Sequence, residues 1–404
     1  MTDPRVLVMH SRYRVEGGEE RAVSLHLDAL GNAGVAHALF ERRSADVGRV
    51  GAAAALVRGG AGDEAIATAV RELGATVAHA HNTLPLIGAQ GLAAAREAGA
   101  NVALTLHNVR LFCATGLGER DGGPCTRCRG RNSLPGLVLN CRRSVPEAIA
   151  YATALSVHHP TVLASVDRFV TPSAWAADRV AFLGLPRDRV QVIPHALPGA
   201  AFAGRSRADE GAYALVLSRL SPEKGVDDAI SACAAAGVPL RIAGDGPERE
   251  RLEALAARSG SEVELLGPVS PGLVQDLLRG AAAVLVPSHC HEFSPYSALE
   301  AMARGVPVVA TAMGGLPELV GGDSCVALHD GNAFADRLAA LWSDPRRRAA
   351  EGDQLIARAR ANHSEERFTR DLLQLYREVA GGDGARSAPR EVAGGDGAPS
   401  APRD

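Results

Sequence analysis

The chain has 404 residues, a length that favours two or more domains, each with a buried core. Its formal net charge of -3 excludes a nucleic-acid binder that is held by overall charge. No apolar run approaches the roughly 18 residues of a membrane-spanning helix, and residues 1–4 lack the basic and apolar regions of a signal peptide. We therefore expect a cytoplasmic protein without a transmembrane segment, and peripheral membrane contact stays open.

Short apolar runs alternate with helical patterns through the first half of the chain. The first strand is predicted over residues 5–9 and the first helix over residues 19–30. The further strands of this half are predicted over residues 35–40, 76–80, 101–106, 167–170 and 189–193. Strand, helix and strand at this spacing favour a parallel sheet that is covered by helices on both faces.

A second series of the same kind begins after the Ala/Gly-rich stretch 195–211. Its strands are predicted over residues 212–217, 239–243, 262–266, 283–286 and 306–310. The sequence therefore predicts an α/β protein with two Rossmann-like, doubly wound domains. The predicted divisions are an N-terminal domain over 1–195, a linker over 196–211, a C-terminal domain over 212–360 and a C-terminal helix over 361–380.

The end of the chain is a tandem repeat. Residues 378–390 recur almost letter for letter as residues 391–403, in a composition rich in Gly, Pro and Ser. Such a segment cannot bury a core, so residues 381–404 are predicted to be disordered and to have no catalytic role.

One residue, Lys224, is the only lysine among 43 basic residues. It follows Arg219 by five positions, in a turn after the first predicted strand of the second series. A compact ammonium in a chain that otherwise uses arginine suits a phosphate group, so Lys224 is a candidate phosphate ligand. The alternative is a surface lysine that survived by chance in an arginine-rich composition.

Two carboxylates eight positions apart mark the segment 291–303. This segment follows the strand predicted over 283–286 and opens a helix, so that the free amides around residues 294–297 suit a phosphate. Glu292 could accept hydrogen bonds from sugar hydroxyls, and Glu300 could bind a ribose diol. The alternative is that Glu292 caps the helix and Glu300 is a solvated helix residue.

Four motifs in one order resemble the retaining glycosyltransferases of family 4. They are Arg219 with Lys224, the Gly-Asp-Gly-Pro segment 244–247, the segment 292–300 and the Gly-Gly-Leu-Pro-Glu segment 314–318. The resemblance extends to about residue 380 and implies a GT-B fold, in which two Rossmann-like domains face each other across a cleft and the C-terminal helix returns to the N-domain. It implies an enzyme of the hexosyl- or N-acetylhexosaminyl-transferase class. Such an enzyme moves a sugar from a nucleoside-diphosphate sugar to a hydroxyl of a small-molecule, lipid-linked or polysaccharide acceptor.

The resemblance also implies roles for the residues of the donor site. Arg219 and Lys224 would hold the donor diphosphate, so that no catalytic divalent metal is required. Glu292 would contact the hydroxyls of the transferred sugar, and Glu300 would bind the ribose of the nucleotide. The other donor-site residues that it implies are Ser294, Pro295, Tyr296, Leu299 and Gly244.

In the N-terminal half, the resemblance points to a glycine loop and a histidine. Gly17 and Gly18 match a loop that approaches donor and acceptor closely, and a plain tight turn is the alternative. His107 matches a histidine that faces the sugar near the reacting carbon. Many relatives have Asn-Gly after the last strand of the N-domain, whereas this chain has His195 and Ala196. A functional contact made from the linker by His195 is therefore in doubt.

Four cysteines cluster in an insertion over residues 109–144, after the strand that ends near His107. They are Cys113, Cys125, Cys128 and Cys141. Four thiolates suit a structural zinc ion, an iron–sulfur cluster is the second reading, and free or paired thiols are the third. Many family-4 members resemble this chain in having such an insertion, which supports a structural role.

Two other classes of function remain at this point. A non-catalytic nucleotide-sugar sensor or metal-cluster interaction module would use the same fold, and so would a GT-B epimerase or phosphorylase. Arg219, Lys224, Glu292 and Glu300 are all present, and a degenerate binding protein would have no need of the complete set. The partners expected are therefore a nucleotide-sugar donor and a hydroxyl acceptor, with no nucleic acid.

Overall fold

The computed structural model describes residues 3–13 and 17–381. Within this range the chain forms two compact units. The first contains residues 3–13, 17–120, Cys125–His195 and 366–381, and the second contains Asp121–Pro124 and Ala196–Glu365. The segment 381–404, predicted to be disordered, lies outside the described residues apart from residue 381, which is the last residue of a helix.

A six-stranded parallel sheet forms the centre of the first unit, in the order β2-β1-β3-β4-β7-β8. The strands of this half are β1 (Arg5–Arg12), β2 (Ala36–Arg43), β3 (Val77–Ala80), β4 (Asn101–Thr105), β5 (Glu119–Arg120), β6 (Gly123–Pro124), β7 (Arg168–Thr171) and β8 (Val190–Val192). The helices are α1 (Gly18–Asn32), α2 (Arg49–Arg58), α3 (Glu64–Leu73), α4 (Gly88–Glu97), α5 (Leu134–Val138), α6 (Val145–Ser165) and α7 (Ala174–Phe182). The two-residue strands β5 and β6 lie in the cysteine-containing insertion.

The sheet of the second unit has the order β11-β10-β9-β12-β13-β14, again with all strands parallel. Its strands are β9 (Tyr213–Leu217), β10 (Leu240–Ala243), β11 (Val263–Gly267), β12 (Ala281–Val286), β13 (Val308–Thr311) and β14 (Cys325–Val326). The helices from here to the end are α8 (Val226–Ala236), α9 (Arg249–Arg258), α10 (Pro271–Gly280), α11 (Tyr296–Arg304), α12 (Leu316–Val320), α13 (Gly331–Trp342), α14 (Pro345–His363) and α15 (Glu365–Gly381). Counted within the unit, the strand order is 3-2-1-4-5-6, that of the Rossmann fold.

Burial explains why the strands read as continuous apolar runs. Residues 6–9 of β1 and all of β12 are buried, because helices cover both faces of a parallel sheet. Five side chains of the first sheet share one buried apolar cluster with Leu375 and Tyr376 of α15. The prediction that the C-terminal helix returns to the N-domain is therefore confirmed.

No helix of the described residues combines the length and the apolar character that crossing a membrane requires.

Candidate functional site

The second unit has its topological switch point between β9 and β12. There the strand order reverses, so the connections that follow these two strands lead away in opposite directions and leave a crevice at their carboxyl ends. Arg219 and Lys224 follow β9, and Glu292 follows β12. Three of the residues predicted from the sequence thus meet at the place where open α/β sheets bind ligands.

The centre of this crevice is an ion pair between Lys224 and Glu292. Lys224 Nζ lies 2.6 Å from Glu292 Oε1, and the hydroxyl of Ser288 donates to the same oxygen over 2.6 Å. The side chains are 23% and 12% exposed, so water competes little with the pair. Burial alone would lower the pKa of Lys224, but the neighbouring Glu292 carboxylate raises it above its ordinary value. The lysine is therefore held as an ammonium.

Arg219 is held by a second carboxylate in the same loop. Its guanidinium pairs with Glu223, whose Oε1 also accepts the Ser221 hydroxyl at 2.8 Å. Burial acts to raise the pKa of Glu223, but the Ser221 hydroxyl and Arg219 outweigh it, and the pKa is lowered. The Arg219 side chain is 55% exposed, so its charge remains accessible to a ligand from solvent.

Helix α11 begins at Tyr296 beside this pair, directly after Pro295. The hydroxyl of Ser294 is buried and has no hydrogen-bond partner within the described part of the chain. Leu299 is fully buried, and Glu300 is only 6% exposed, so the alternative of a solvated Glu300 is wrong. A buried hydroxyl without a partner at the start of a helix fits a polar ligand that would supply one.

Two glycines allow close backbone contact around the site. Gly244 has a φ of +143°, and a Cβ there would lie 1.8 Å from the carbonyl oxygen of Ser218. Gly314 has a φ of +70°, and a Cβ there would lie 2.4 Å from the carbonyl oxygen of Glu292. The next amide, that of Gly315, donates to the same carbonyl over 2.7 Å. Gly314 thus lets its loop fix the backbone of Glu292.

We expect Gly314→Ala to lower the free energy of unfolding by about 3 kcal/mol, which combines left-handed strain with overpacking. Gly237→Ala is the matched control, because its φ of +64° is similar but no atom lies within 4 Å of the added Cβ. The control should lose only about 1 kcal/mol. Urea unfolding curves measure both, and equal losses would show that the contact with Glu292 adds no constraint.

The first unit holds the other predicted residues, of which His107 lines a pocket of about 320 Å³. Gly17 and Gly18 open helix α1, and His107 follows β4. Burial, with His195, His10 and His26 nearby, lowers the pKa of His107 well below its ordinary value, so its imidazole is neutral. The histidine can therefore donate or accept one hydrogen bond without carrying charge.

Sequence reasoning missed Glu19, which lines this pocket together with His107 and Asn108. Its Oε1 accepts the Asn108 amide at 2.7 Å, and its Oε2 is buried without a hydrogen-bond partner among the residues described. Burial raises the pKa of Glu19, although Arg110 opposes the shift. Its place directly after the glycine pair could have signalled a carboxylate aimed at the same region.

The four cysteines of the insertion are free thiols in the structure. Burial raises the pKa of Cys128 to about 11, and the neighbouring Cys113, Cys125 and Cys141 add to the shift, so all four lie in one cluster. No three of their sulfurs lie within 4.8 Å of one another. Within the described residues, only Asp227, Asp228 and His289 bring three possible ligand atoms that close together. The donor set therefore fits a thiolate-bound metal in its chemistry, whereas the sulfurs are farther apart than the ligand atoms of a bound ion.

Two family models match the chain, and together they cover most of it. Residues 17–198 match the model described as Glycosyltransferase Family 4, and residues 201–360 match the model described as Glycosyl transferases group 1. The first match begins at the glycine pair, and the second contains every residue predicted for the donor site.

Among curated relatives, a D-inositol 3-phosphate glycosyltransferase of Acidothermus cellulolyticus is 33% identical over 249 residues, which are 54% of each chain. The corresponding enzyme 1 of Catenulispora acidiphila is 28% identical over 320 residues, which are 76% of this chain and 73% of the relative. The chain therefore spans about half the length of the first of these relatives.

Solved structures show the same fold. HepE of Anabaena in complex with UDP aligns with a TM-score of 0.65 at 17% identity, over 92% of this chain and 99% of that one. AviGT4, a glycosyltransferase involved in avilamycin A biosynthesis, aligns with a TM-score of 0.57 at 20% identity, over 94% and 98%.

The two-unit α/β architecture with parallel sheets is thus the GT-B fold of glycosyltransferases. More particularly, residues 17–198 are similar to family 4 glycosyltransferase domains and residues 201–360 to group 1 glycosyltransferase domains.

Proposed function

We propose that the protein is a retaining glycosyltransferase that takes a sugar from a nucleoside-diphosphate donor and transfers it to a hydroxyl acceptor. The observation that carries the proposal is the Lys224–Glu292 pair at the switch point of the second unit, beside the start of helix α11. The cation that would bind the diphosphate and the carboxylate that would bind the sugar are in direct contact. Arg219 adds a second cation on the same side, after the same strand.

The charges suit the reaction. When the bond between the sugar C1 and the phosphate oxygen breaks, its electron pair leaves with the diphosphate. Lys224, Arg219 and the amides at the start of α11 stabilise that charge without a divalent metal. Because their carboxylate partners hold both cations in place beforehand, little reorganisation is needed at the moment of reaction.

In this ion pair, Glu292 is the residue that contacts the sugar. Its oxygens accept hydrogen bonds from hydroxyls of the transferred sugar. Glu300 and Tyr296 form the wall that receives the nucleoside, and Leu299 supports it from the core. The acceptor oxygen bonds to C1 on the face that the phosphate leaves, and its proton passes to the departing phosphate oxygen. The configuration at C1 is retained.

A panel of UDP-, GDP-, ADP- and dTDP-sugars identifies the donor by thermal shift, because a ligand that binds only the folded state raises the melting temperature. One nucleotide class should shift the protein in the presence of EDTA. If no donor shifts it, the proposal fails. With the donor known, proton NMR of the anomeric centre of the product distinguishes retention from inversion, and a product epimerised at another carbon would support the epimerase instead.

For the cysteine cluster we propose one structural zinc ion, held by Cys113, Cys125, Cys128 and Cys141. A bound metal favours thiolates over thiols, so it would lower the pKa of Cys128, which burial raises in the metal-free cluster. Elemental analysis of protein purified without chelators should find about one zinc per chain, and Cys128→Ser should lose it. Iron with visible absorbance, or no metal in the wild-type chain, would contradict this assignment.

A further inference from the structure

Five hydrogen bonds join five buried side chains and the half-buried His107 of the first unit in a single line. Thr105 Oγ1 lies 2.7 Å from His79 Nε2, and His79 Nδ1 lies 2.8 Å from Tyr376 Oη. The same hydroxyl lies 2.6 Å from His26 Nε2, and His26 Nδ1 lies 2.7 Å from His81 Nε2. His81 Nδ1 then lies 3.0 Å from His107 Nε2.

This line connects three elements of the fold to the pocket of the first unit. His79 lies on β3, His26 on α1 and Tyr376 on the C-terminal helix α15. His107 is the member that the resemblance to family 4 places at the sugar. Burial lowers the pKa of His79 to about 3, and it lowers the pKa of His26, His81 and His107 well below the ordinary value. All four imidazoles are therefore neutral near pH 7.

Neutrality restricts how the line can be protonated. A neutral imidazole has one N–H donor and one accepting nitrogen, and the Tyr376 hydroxyl has one proton to donate. If Tyr376 donates to His26, it must accept from His79. His26 Nδ1 then donates to His81, and His81 Nδ1 donates to His107. If Tyr376 donates to His79 instead, every bond in the line reverses.

Only these two arrangements satisfy every member. In the first, all four histidines carry their proton on Nδ1, and in the second all four carry it on Nε2. A mixture of tautomers would leave two donors or two acceptors facing each other in a buried setting, at a cost of about 1–3 kcal/mol for each unpaired group. The ring nitrogen of His107 outside the line, Nδ1, is thus a donor in the first arrangement and an acceptor in the second.

We propose that Tyr376, His26, His79 and His81 are positioning residues that set the tautomer of His107, and with it the kind of sugar or acceptor group that His107 can bind. The role of His107 at the sugar rests on the proposed function, whereas the coupling of the tautomers does not. At Nδ1 of His107, a ligand hydroxyl therefore meets either a donor or an acceptor, and the hydrogen bonds of Tyr376 on the C-terminal helix decide which. The second-unit donor residues are not part of this line.

Nitrogen-15 NMR of histidine-labelled protein tests the coupling without substrate, because the two ring nitrogens of each tautomer have distinct shifts. Single substitutions of each histidine by Gln assign the signals. The four histidines should all show the same tautomer in the wild-type chain. Any stable mixture among the four, such as Nδ1–H at His79 with Nε2–H at His107, would overturn the proposal.

Tyr376→Phe removes only the hydroxyl that joins the two halves of the line. It should uncouple His79 from His26 and change the tautomer populations at His81 and His107, which Tyr376 does not bond. Phe368→Leu is the matched control, since Phe368 lies on the same helix with its ring centroid 6.1 Å from that of His26 but lies outside the line of hydrogen bonds. The control should leave the tautomers unchanged, and an unchanged pattern in Tyr376→Phe would also overturn the proposal.

Activity separates this proposal from the proposed function. In Tyr376→Phe we expect kcat to fall about tenfold, as when a group that orients a functional histidine is removed, with little change in the KM of the donor. If the tautomers are coupled but no nucleotide sugar is used, the line stands and the proposed function fails. If transfer occurs but the tautomers are independent, the proposed function stands and the coupling of the tautomers fails.

Discussion

Lys224→Met should lower kcat for sugar transfer by about 10²- to 10³-fold, the usual effect of removing one donor that stabilises a developing anion. Methionine keeps the apolar stem but removes the ammonium that lies 2.6 Å from Glu292. The fold should be retained, because the Ser288 hydroxyl still donates to Glu292. Initial rates with the donor that the thermal-shift panel identifies measure the effect, and melting curves confirm that the variant is folded.

Two controls distinguish the position of the charge from charge in general. Lys224→Arg keeps the positive charge but replaces a compact group by a planar one, and should recover only part of the rate. Arg279→Met removes one charge from an exposed pair with Asp276 in the same unit, and should not affect transfer. A Lys224→Met chain that transfers sugar at the wild-type rate would exclude the lysine from the diphosphate site.

Acid should unfold the first unit steeply, because four of its buried histidines have lowered pKa values. The unfolded chain takes up protons on these residues below about pH 6.5, whereas the folded unit does so only at much lower pH. The unfolded state then binds up to four more protons, so stability falls as the pH falls. The slope approaches about 5 kcal/mol per pH unit below pH 6, since each proton contributes about 1.36 kcal/mol.

The two tryptophans allow each unit to be followed separately. Trp175 lies on α7 in the first unit and Trp342 on α13 in the second. Urea unfolding of a Trp342→Phe chain between pH 5 and 8, followed by Trp175 fluorescence, measures the slope. In the Trp342→Phe chain, the further substitution His79→Gln should lower this slope by the contribution of about one proton, roughly 1.36 kcal/mol per pH unit. A stability that does not change between pH 7 and 5 would show that these histidines are not held neutral.

The reciprocal chain, Trp175→Phe, is the internal control. Its remaining tryptophan reports the second unit, which contains none of the four histidines. Its pH dependence should therefore be shallower over the same range.

The sequence allowed most of the fold to be predicted, because the apolar runs of a parallel sheet are long and continuous. The predicted strand over residues 101–106 is observed as Asn101–Thr105, and the helix predicted over 19–30 is observed as Gly18–Asn32. Strand β14 was missed because its two residues, Cys325–Val326, are too short to show a period. Strand order could not be predicted, since it depends on long-range pairing and not on local pattern.

The candidate site was predictable only in part, because contacts between distant parts of the chain leave no local pattern in the sequence. Lys224 and Glu292 were found from composition and motif, but their contact joins two loops that are 68 positions apart. The line of hydrogen bonds could not be predicted from the sequence, because its members are residues 26, 79, 81, 105, 107 and 376 and no local spacing connects them. Glu19 was missed because a carboxylate beside a glycine turn reads as a solvated helix start until its burial is known.

The most direct test of the account is calorimetric titration of the nucleoside diphosphate of the preferred donor into wild-type and Lys224→Met protein, both in EDTA. We predict that the wild-type chain binds without a divalent metal and that the variant binds at least tenfold more weakly, which corresponds to about 1.4 kcal/mol. Equal affinities in the two proteins, or binding by the wild-type chain only when Mg²⁺ is added, would contradict the metal-free diphosphate site at the carboxyl ends of β9 and β12.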